Sequence, residues 1–411
     1  MNLPVPVPGK FPNESFYLYD RAVFLGNLGD FLAAFRRFYP KTKLALSVKT
    51  NYLPLLLLDA AGTDCWFEVV SLAEYRLVRS LDIPAARIIV NGPSKGVDLI
   101  ALALSEGALI QLDGEEELAL LRQLIQTNGE SPARVGLRCS LKVPGEPPSR
   151  FGFDVSSSSY LDAINFLSQT SSVQMESIHC HYCSASRQPS DYTQLARELI
   201  GQAARVPGAG PSILNLGGGF LSPASKNFQE QFPFPWVGFD DYGQAVGEIF
   251  SAHYAGREGP VLMLEPGMAV TANCMSFFAR VTGIKTVEDR VLIQVAGSCY
   301  NIKPNKSKRN LTISLVAGSG GPRRDVEGAD IVGYTCMEDD ILHRNFNGNI
   351  AVGDYVRFDQ VGAYSITLKP PFIEPQAPVY IQRPETGVLK LIQAGESWQE
   401  MFGVGRTASF P

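Results

Sequence analysis

The feature that most constrains this chain is a rhythm. From about Phe16 to Pro266, short apolar runs recur, and most hand over to an amphipathic stretch. "KLALSVK" precedes "LPLLLLDAAG", "CWFEVVS" precedes "LAEYRLVRSLD", and "RIIVNG" precedes "VDLIALALSEG". "LIQLDG" then leads into "EEELALLRQLIQ", "RVGLRCS" follows, and "SIHCHY" leads into "DYTQLARELIGQAA". "SILNLGGGF" is followed by "YGQAVGEIFSAHY", and "VLMLEPG" closes the series. Parallel strands need a crossover between neighbours, usually helical, and read as near-continuous apolar runs. Eight such runs over about 250 residues predict a (β/α)8 barrel.

After Gly267 the texture changes. "FFARVTGIKTV", "RVLIQVAG", "LTISLVAG", "DYVRFDQVGAYSITL" and "PVYIQRP" alternate, or carry β-branched and aromatic residues between turns. They predict an antiparallel all-β domain, and "FYLYD" near the start is a candidate to join it. With 411 residues the chain exceeds one comfortable core. The expected division is 1–26 with a strand for the β-domain, 27–268 as the barrel, and 269–411 as the β-domain.

A net charge of −5 makes no electrostatic case for nucleic acid or an anionic membrane. No run reaches the roughly 18 apolar residues of a membrane span. "MNLPVPVPGKFPNESF" lacks a basic stretch followed by an apolar core, so no secretion signal is expected. The seven cysteines are odd in number and scattered, which suits reduced thiols in a cytoplasm better than a disulfide framework. The basic run "KPNKSKRN" (303–310) reads as a solvated loop.

Two of the four histidines sit in "SIHCHYCSAS" (177–186), beside Cys180 and Cys183. On a strand, His179, His181 and Cys183 share one face while Ile178, Cys180 and Tyr182 share the other. The two thiols then point apart, which suits neither a disulfide nor joint chelation. No second Cys/His cluster completes a zinc site, so no metal is expected. At a barrel-strand end, the inward histidine belongs instead to the active-site mouth.

Three further strand ends carry chemistry. Gly217, Gly218 and Gly219 in "LNLGGGF" form either a flexible turn or a backbone cradle for phosphate. Lys49 in "SVKTN" is either a snorkelling surface lysine or a partly desolvated amine with a lowered pKa, able to form a Schiff base. Glu265 in "LEPG" ends the last barrel run. Lysine, glycine triplet and carboxylate together suggest a phosphorylated aldehyde cofactor, pyridoxal 5'-phosphate.

Read in order, these residues resemble the fold-type III pyridoxal-phosphate decarboxylases, the group that includes diaminopimelate, ornithine and biosynthetic arginine decarboxylases. The resembling blocks are "FYLYD", "SVKTN", "FEVVSLAEY", "NGPSK", "GLRC", "SRFGFD", "HCHYCS", "LNLGGGF", "EPG", "GYTCMEDDIL" and "GDYVRFDQVGAYSITL", spanning Phe16 to Val388. The resemblance implies an alanine-racemase-like fold, a TIM-like barrel with a C-terminal β-domain. It implies that Lys49 carries the cofactor, Glu265 pairs with its ring nitrogen, and His181 stacks on its ring. Ser184, Gly217 to Gly219 and Tyr364 match phosphate-binding positions, Gly267 a cofactor-binding position, and Glu68 and Arg138 polar positions near the cofactor and its lysine. Cys336 matches a cysteine that returns a proton to the substrate carbon across a dimer interface, which implies a homodimer with shared sites.

Three departures bear on specificity. Met268 stands where the family has the arginine of Glu-Pro-Gly-Arg. Met337 follows Cys336 where the family carries an acid for the substrate's distal amine, leaving Asp340 and Glu338 nearby. Cys183 replaces a glycine of His-x-Gly-Ser. Lys303 lies in the loop where diaminopimelate decarboxylases carry a substrate-binding arginine. The expected reaction is α-decarboxylation of an amino acid other than free diaminopimelate, lysine or ornithine. A larger conjugated amino acid, such as a siderophore precursor, is the expected type. A racemase on the same fold and a non-catalytic binding homologue are the alternatives; Glu265 speaks against the first, and retention of Lys49, His181, Glu265 and Cys336 against the second.

Overall fold

The computed structural model describes residues 11–126, 132–143, 145–318 and 321–404, so the first ten residues of the expected N-terminal segment lie outside it. Strand β1 (Ser15–Tyr19) comes first and belongs to the second domain. The barrel strands are β2 (Thr42–Ser47), β3 (Trp66–Val69), β4 (Ile88–Val90), β5 (Leu109–Leu112) and β6 (Ala133–Ser140). After β7 (Phe153–Asp154), a two-residue side strand on β6, come β8 (Val173–Cys180), β9 (Ile213–Asn215) and β10 (Val261–Leu264). Every neighbouring pair among the eight is parallel; β10 pairs with β2, and β5 with β6, so the sheet closes.

The eight apolar runs are these eight strands. "IIV" and "LIQL" are buried at every position, as expected where helices cover the outside and side chains fill the inside. The helices start on local signals. Pro54 sits in the first turn of Pro54–Ala61, three glutamates open Glu115–Leu124, and Asp191 caps Pro189–Ala203. Helix Arg21–Arg36 fills the ring against Phe239–His253, where Gly243 lies against the Ala34 carbonyl with no room for a side chain.

The second domain comprises β1, β11 (Met275–Val287), β12 (Arg290–Val295), β13 (Ile313–Val316), β14 (Arg324–Val332), β15 (Ile341–Ile350), β16 (Tyr355–Phe358), β17 (Val379–Gln382) and β18 (Leu389–Gln393). It is a mixed sheet, which corrects the antiparallel expectation: β12 pairs parallel with β14, and β1 parallel with β17. β14 returns beside β12 only after the long excursion that holds the 303–310 loop, and such a crossover permits parallel pairing. Likewise "SITL", read as strand, is the helical turn Ser365–Leu368. Strand β1 lies between β11 and β17, its Phe16 ring stacked on Phe278 at 4.7 Å. The domains meet at the barrel mouth. Asn51 donates to the Gly362 carbonyl (2.7 Å), and the Tyr364 N–H donates to the Thr50 carbonyl (2.8 Å).

Candidate active site

Lys49 stands on the single turn Val48–Thr50 directly after β2. Its Nζ lies 2.5 Å from Oε2 of Glu68, a 1 % exposed residue of β3, and the Ser47 hydroxyl donates to the same oxygen. Burial by itself lowers the Lys49 pKa, but Glu68, and then Glu265, outweigh it and hold the amine above its ordinary value. The lowered lysine pKa expected from partial desolvation is therefore corrected, because a buried carboxylate sits at hydrogen-bond distance.

Glu265, directly after β10, is 5 % exposed. Its Oε1 accepts from Asn91 Nδ2 (2.8 Å) and Asn215 Nδ2 (2.6 Å), whereas Oε2 lies 3.5 Å from His179 Nε2. Burial opposes its ionisation, yet His179, Lys49 and the Asn215 amide prevail and keep the carboxyl well below the usual carboxylate range. One oxygen is thus saturated by amides, while the other has no donor at hydrogen-bond distance among the described residues. Asn91, His179 and Asn215 were assigned no role from sequence, although all three lie at barrel-strand C-terminal ends, where function concentrates.

β8 stops at Cys180, so the alternation read through Cys183 ends there and His181 begins a loop. The His181 Nδ1 accepts from the Gly218 N–H at 2.8 Å, which leaves a neutral ring with its proton on Nε2. Burial, with Arg138 and Lys49 nearby, pushes the imidazole down to about 3, so the ring is neutral near pH 7. Cys180 is core, whereas Cys183 is exposed.

The glycine triplet is shaped by crowding. At Gly217 (φ +71) a Cβ would stand 2.6 Å from His181 Nδ1, and at Gly218 it would strike the Glu265 carbonyl. Gly217 N–H is spent on Asn215 Oδ1 (2.9 Å) and Gly218 N–H on His181, so among the three only the Gly219 N–H remains free for an anion. The reading of all three as amide donors is corrected to one donor on a loop built by the other two. Ser184 is 4 % exposed and gives its proton to Asp191 Oδ2 at 2.5 Å. Arg138 pairs with Asp113 at 3.4 Å and lies over the Phe151 ring. Gly267 packs against Ser47 and Thr50, and Tyr364 holds a left-handed backbone (φ 66) at the domain junction.

The other predicted residues lie apart from this cluster. Cys336 is exposed on the turn after β14 and does not line the cavity bordered by Met268, Lys303 and Tyr364; Met337 beside it takes the Tyr300 hydroxyl at 3.4 Å. Asp340 is corrected from substrate binding to bracing. It is 3 % exposed, and its oxygens accept the backbone N–H groups of Cys299 (2.7 Å) and Thr335 (3.0 Å). Lys303 lines the cavity at 8 % exposure, its Nζ donating to the Arg309 carbonyl at 3.3 Å.

This geometry has counterparts among known proteins. The family model described as "Pyridoxal-dependent decarboxylase, pyridoxal binding domain" matches residues 25–272. A diaminopimelate decarboxylase of Actinosynnema pretiosum is 28 % identical over 346 residues, covering 80 % of this chain and 76 % of its own length. The diaminopimelate decarboxylase of Methanocaldococcus jannaschii is 24 % identical, over 95 % of this chain and 91 % of that one. A crystal structure of diaminopimelate decarboxylase from the same archaeon superposes with a TM-score of 0.84 at 20 % identity, covering 97 % and 93 % of the two chains. The match over the whole barrel, in the region that holds Lys49, His181 and Glu265, makes this chain a member of the pyridoxal-dependent decarboxylase family.

Proposed function

We propose that this carboxy-lyase removes the α-carboxylate of an amino acid whose distal end carries no ammonium group, and that it works as a homodimer in the cytoplasm. The observation that carries the reading is Glu265, held ionised by Asn91, Asn215 and His179 in the mouth that also presents Lys49.

The residues fit pyridoxal phosphate. Lys49 offers an amine, Glu265 keeps one carboxylate oxygen free, and the Gly217–Gly219 loop has no space for side chains. The cofactor, when bound, supplies a conjugated ring that accepts the electron pair released as the bond to the departing carboxylate breaks. Lys49 is the residue that would hold it, and Glu68 is placed to take a proton from the Lys49 amine. Glu265 would favour a proton on the ring nitrogen, since an ionised carboxylate stabilises a cationic partner. His181, neutral and fixed by Gly218, offers an uncharged ring face. Cys336 of a second copy returns one proton to Cα. The balance is one amino acid and one proton giving CO2 and an amine. Met337 in place of an acid argues against a distal ammonium, because such a charge would sit unpaired at a cost of several kcal/mol.

Purified protein is expected to be yellow, and Lys49→Ala to bleach it, as read by visible absorbance. CO2 release across an amino-acid panel then tests the reaction. Strong preference for diaminopimelate or ornithine would overturn the substrate reading, and a product that retains its carboxylate would select racemisation.

A further inference from the structure

Beside the cofactor residues opens a cavity of about 410 Å3, bordered by Tyr364 and Met268. Three cations line it, Arg187, Lys303 and Arg309, and no aspartate or glutamate does. Arg187 lies on the loop that carries His181 and Ser184, in a left-handed backbone conformation (φ 53) that costs a non-glycine residue free energy. Its guanidinium reaches Met268, with Nη1 3.8 Å from the sulfur, and it makes no ion pair among the described residues. The cation that position 268 lacks is therefore present in the same space, carried on a different loop.

Lys303 strengthens the point. It is 8 % exposed, and among the described residues its ammonium donates only to a backbone carbonyl; burial pulls its pKa down to about 8. A buried ammonium without a carboxylate partner is costly unless a bound anion completes it.

Part of the lining is aromatic. Phe228, Phe232 and Trp236 pack edge to face at 5.0–5.9 Å between centroids, and the Arg309 guanidinium lies 4.1 Å over Phe232. This wall is built rather than loose. Gln231 exchanges hydrogen bonds with Asn310 at 2.9 Å in both directions, pinning the segment to the 303–310 run. That run is a loop with Asn305, Lys306, Lys308 and Arg309 exposed, as read from sequence, but it also supplies part of the cavity lining, with Lys303 buried. Flat apolar walls with a few convergent cations select a planar or broad body ending in an anion.

We propose that this cavity is a specificity compartment for a substrate whose distal end is a carboxylate borne on a broad apolar or planar body, with Arg187 replacing the cation missing at position 268. The proposal deepens the decarboxylase reading and rests on it for the location of the reacting end.

Matched amino acids of opposite distal charge test it on the holoenzyme, with binding read from the change in cofactor absorbance and turnover read separately as CO2. 4-Carboxyphenylalanine is expected to bind at least tenfold tighter than 4-aminomethylphenylalanine, and 2-aminoadipate tighter than lysine. Arg187→Met is expected to bring the first ratio close to one, and Trp236→Ala to weaken the aryl carboxylate more than 2-aminoadipate. Preference for the ammonium partner, failure of both aryl compounds to bind, or an unchanged ratio in Arg187→Met overturns the proposal. So does weakened cofactor retention in Arg187→Met with the ratio intact, which would assign the arginine to the cofactor phosphate. If Arg187→Met does not fold, the wild-type ratio alone decides. Binding preference without CO2 release from any compound would sink the decarboxylase reading and leave the compartment standing.

Discussion

The residues of the mouth divide into those that carry charge and those that set it. Glu265 is ionised because two asparagines from separate strands saturate one oxygen and His179 faces the other. His181 is neutral because it is buried beside Arg138 and Lys49. The second fact has a pH consequence. In the unfolded chain the ring protonates near 6.5, and in the fold only near about 3. Between those values the unfolded state binds the proton and the folded state refuses it, so this residue makes stability fall as pH drops through that window. His181→Phe in the cofactor-free protein is expected to lose less melting temperature between pH 7 and pH 4 than the parent; equal losses would refute the assignment. Lys49, Glu265, His181 and the glycines were legible in sequence because each follows an apolar run. The Asn91–Glu265 and Asn215–Glu265 bonds were not, because they join strands 174 and 50 positions apart. Asp340 misled for a related reason, since proximity in sequence to Cys336 says nothing about which backbone amides a carboxylate faces.

At the scale of elements, the loop after β9 is the least forgiving piece. Its Gly217 carbonyl accepts the Glu265 N–H at 2.8 Å, and Gly218 lies where any Cβ meets the Glu265 carbonyl, a backbone group that cannot swing aside. Gly218→Ala is expected to cost about 1–3 kcal/mol through overpacking and to reduce cofactor retention, as read by thermal melts and cofactor titration. Gly201→Ala, on a helix with nothing within 4 Å of the new methyl, is the control expected to hold stability and cofactor. The barrel strands were readable because burial on both faces writes them as unbroken apolar runs. β14 and β15 were missed because "RDVEGADIV" and "ILHRNFNGNI" each show one wet face rich in charge or amides. Strand direction was not readable either, since parallel pairing of β12 with β14 depends on where a crossover lands.

At the scale of the whole molecule, the exposed Cys336 and the barrel of the same chain form no site together among the described residues. If two copies exchange Cys336, an equal mixture of Lys49→Ala and Cys336→Ala, each inactive alone, regains about a quarter of parental activity after the subunits are allowed to exchange, since half the dimers then hold one intact site of two. Absence of recovery despite mixed dimers on native mass spectra would refute shared sites. The two-domain plan itself was visible as a change of texture near Gly267, but the place of β1 came only from its pairing. That strand has a temporal consequence. Its neighbours Asn301 and Tyr380, bonded to Tyr17 and Asn13, lie 284 and 367 positions downstream. At ribosomal speeds the second contact is synthesised on the order of tens of seconds after the first residues emerge. The aromatic row of Phe16 and its neighbours therefore waits uncovered while the barrel assembles, the interval in which chaperones act and aggregation starts. A permuted chain carrying this strand after β18 would shorten that wait while keeping the native pairing.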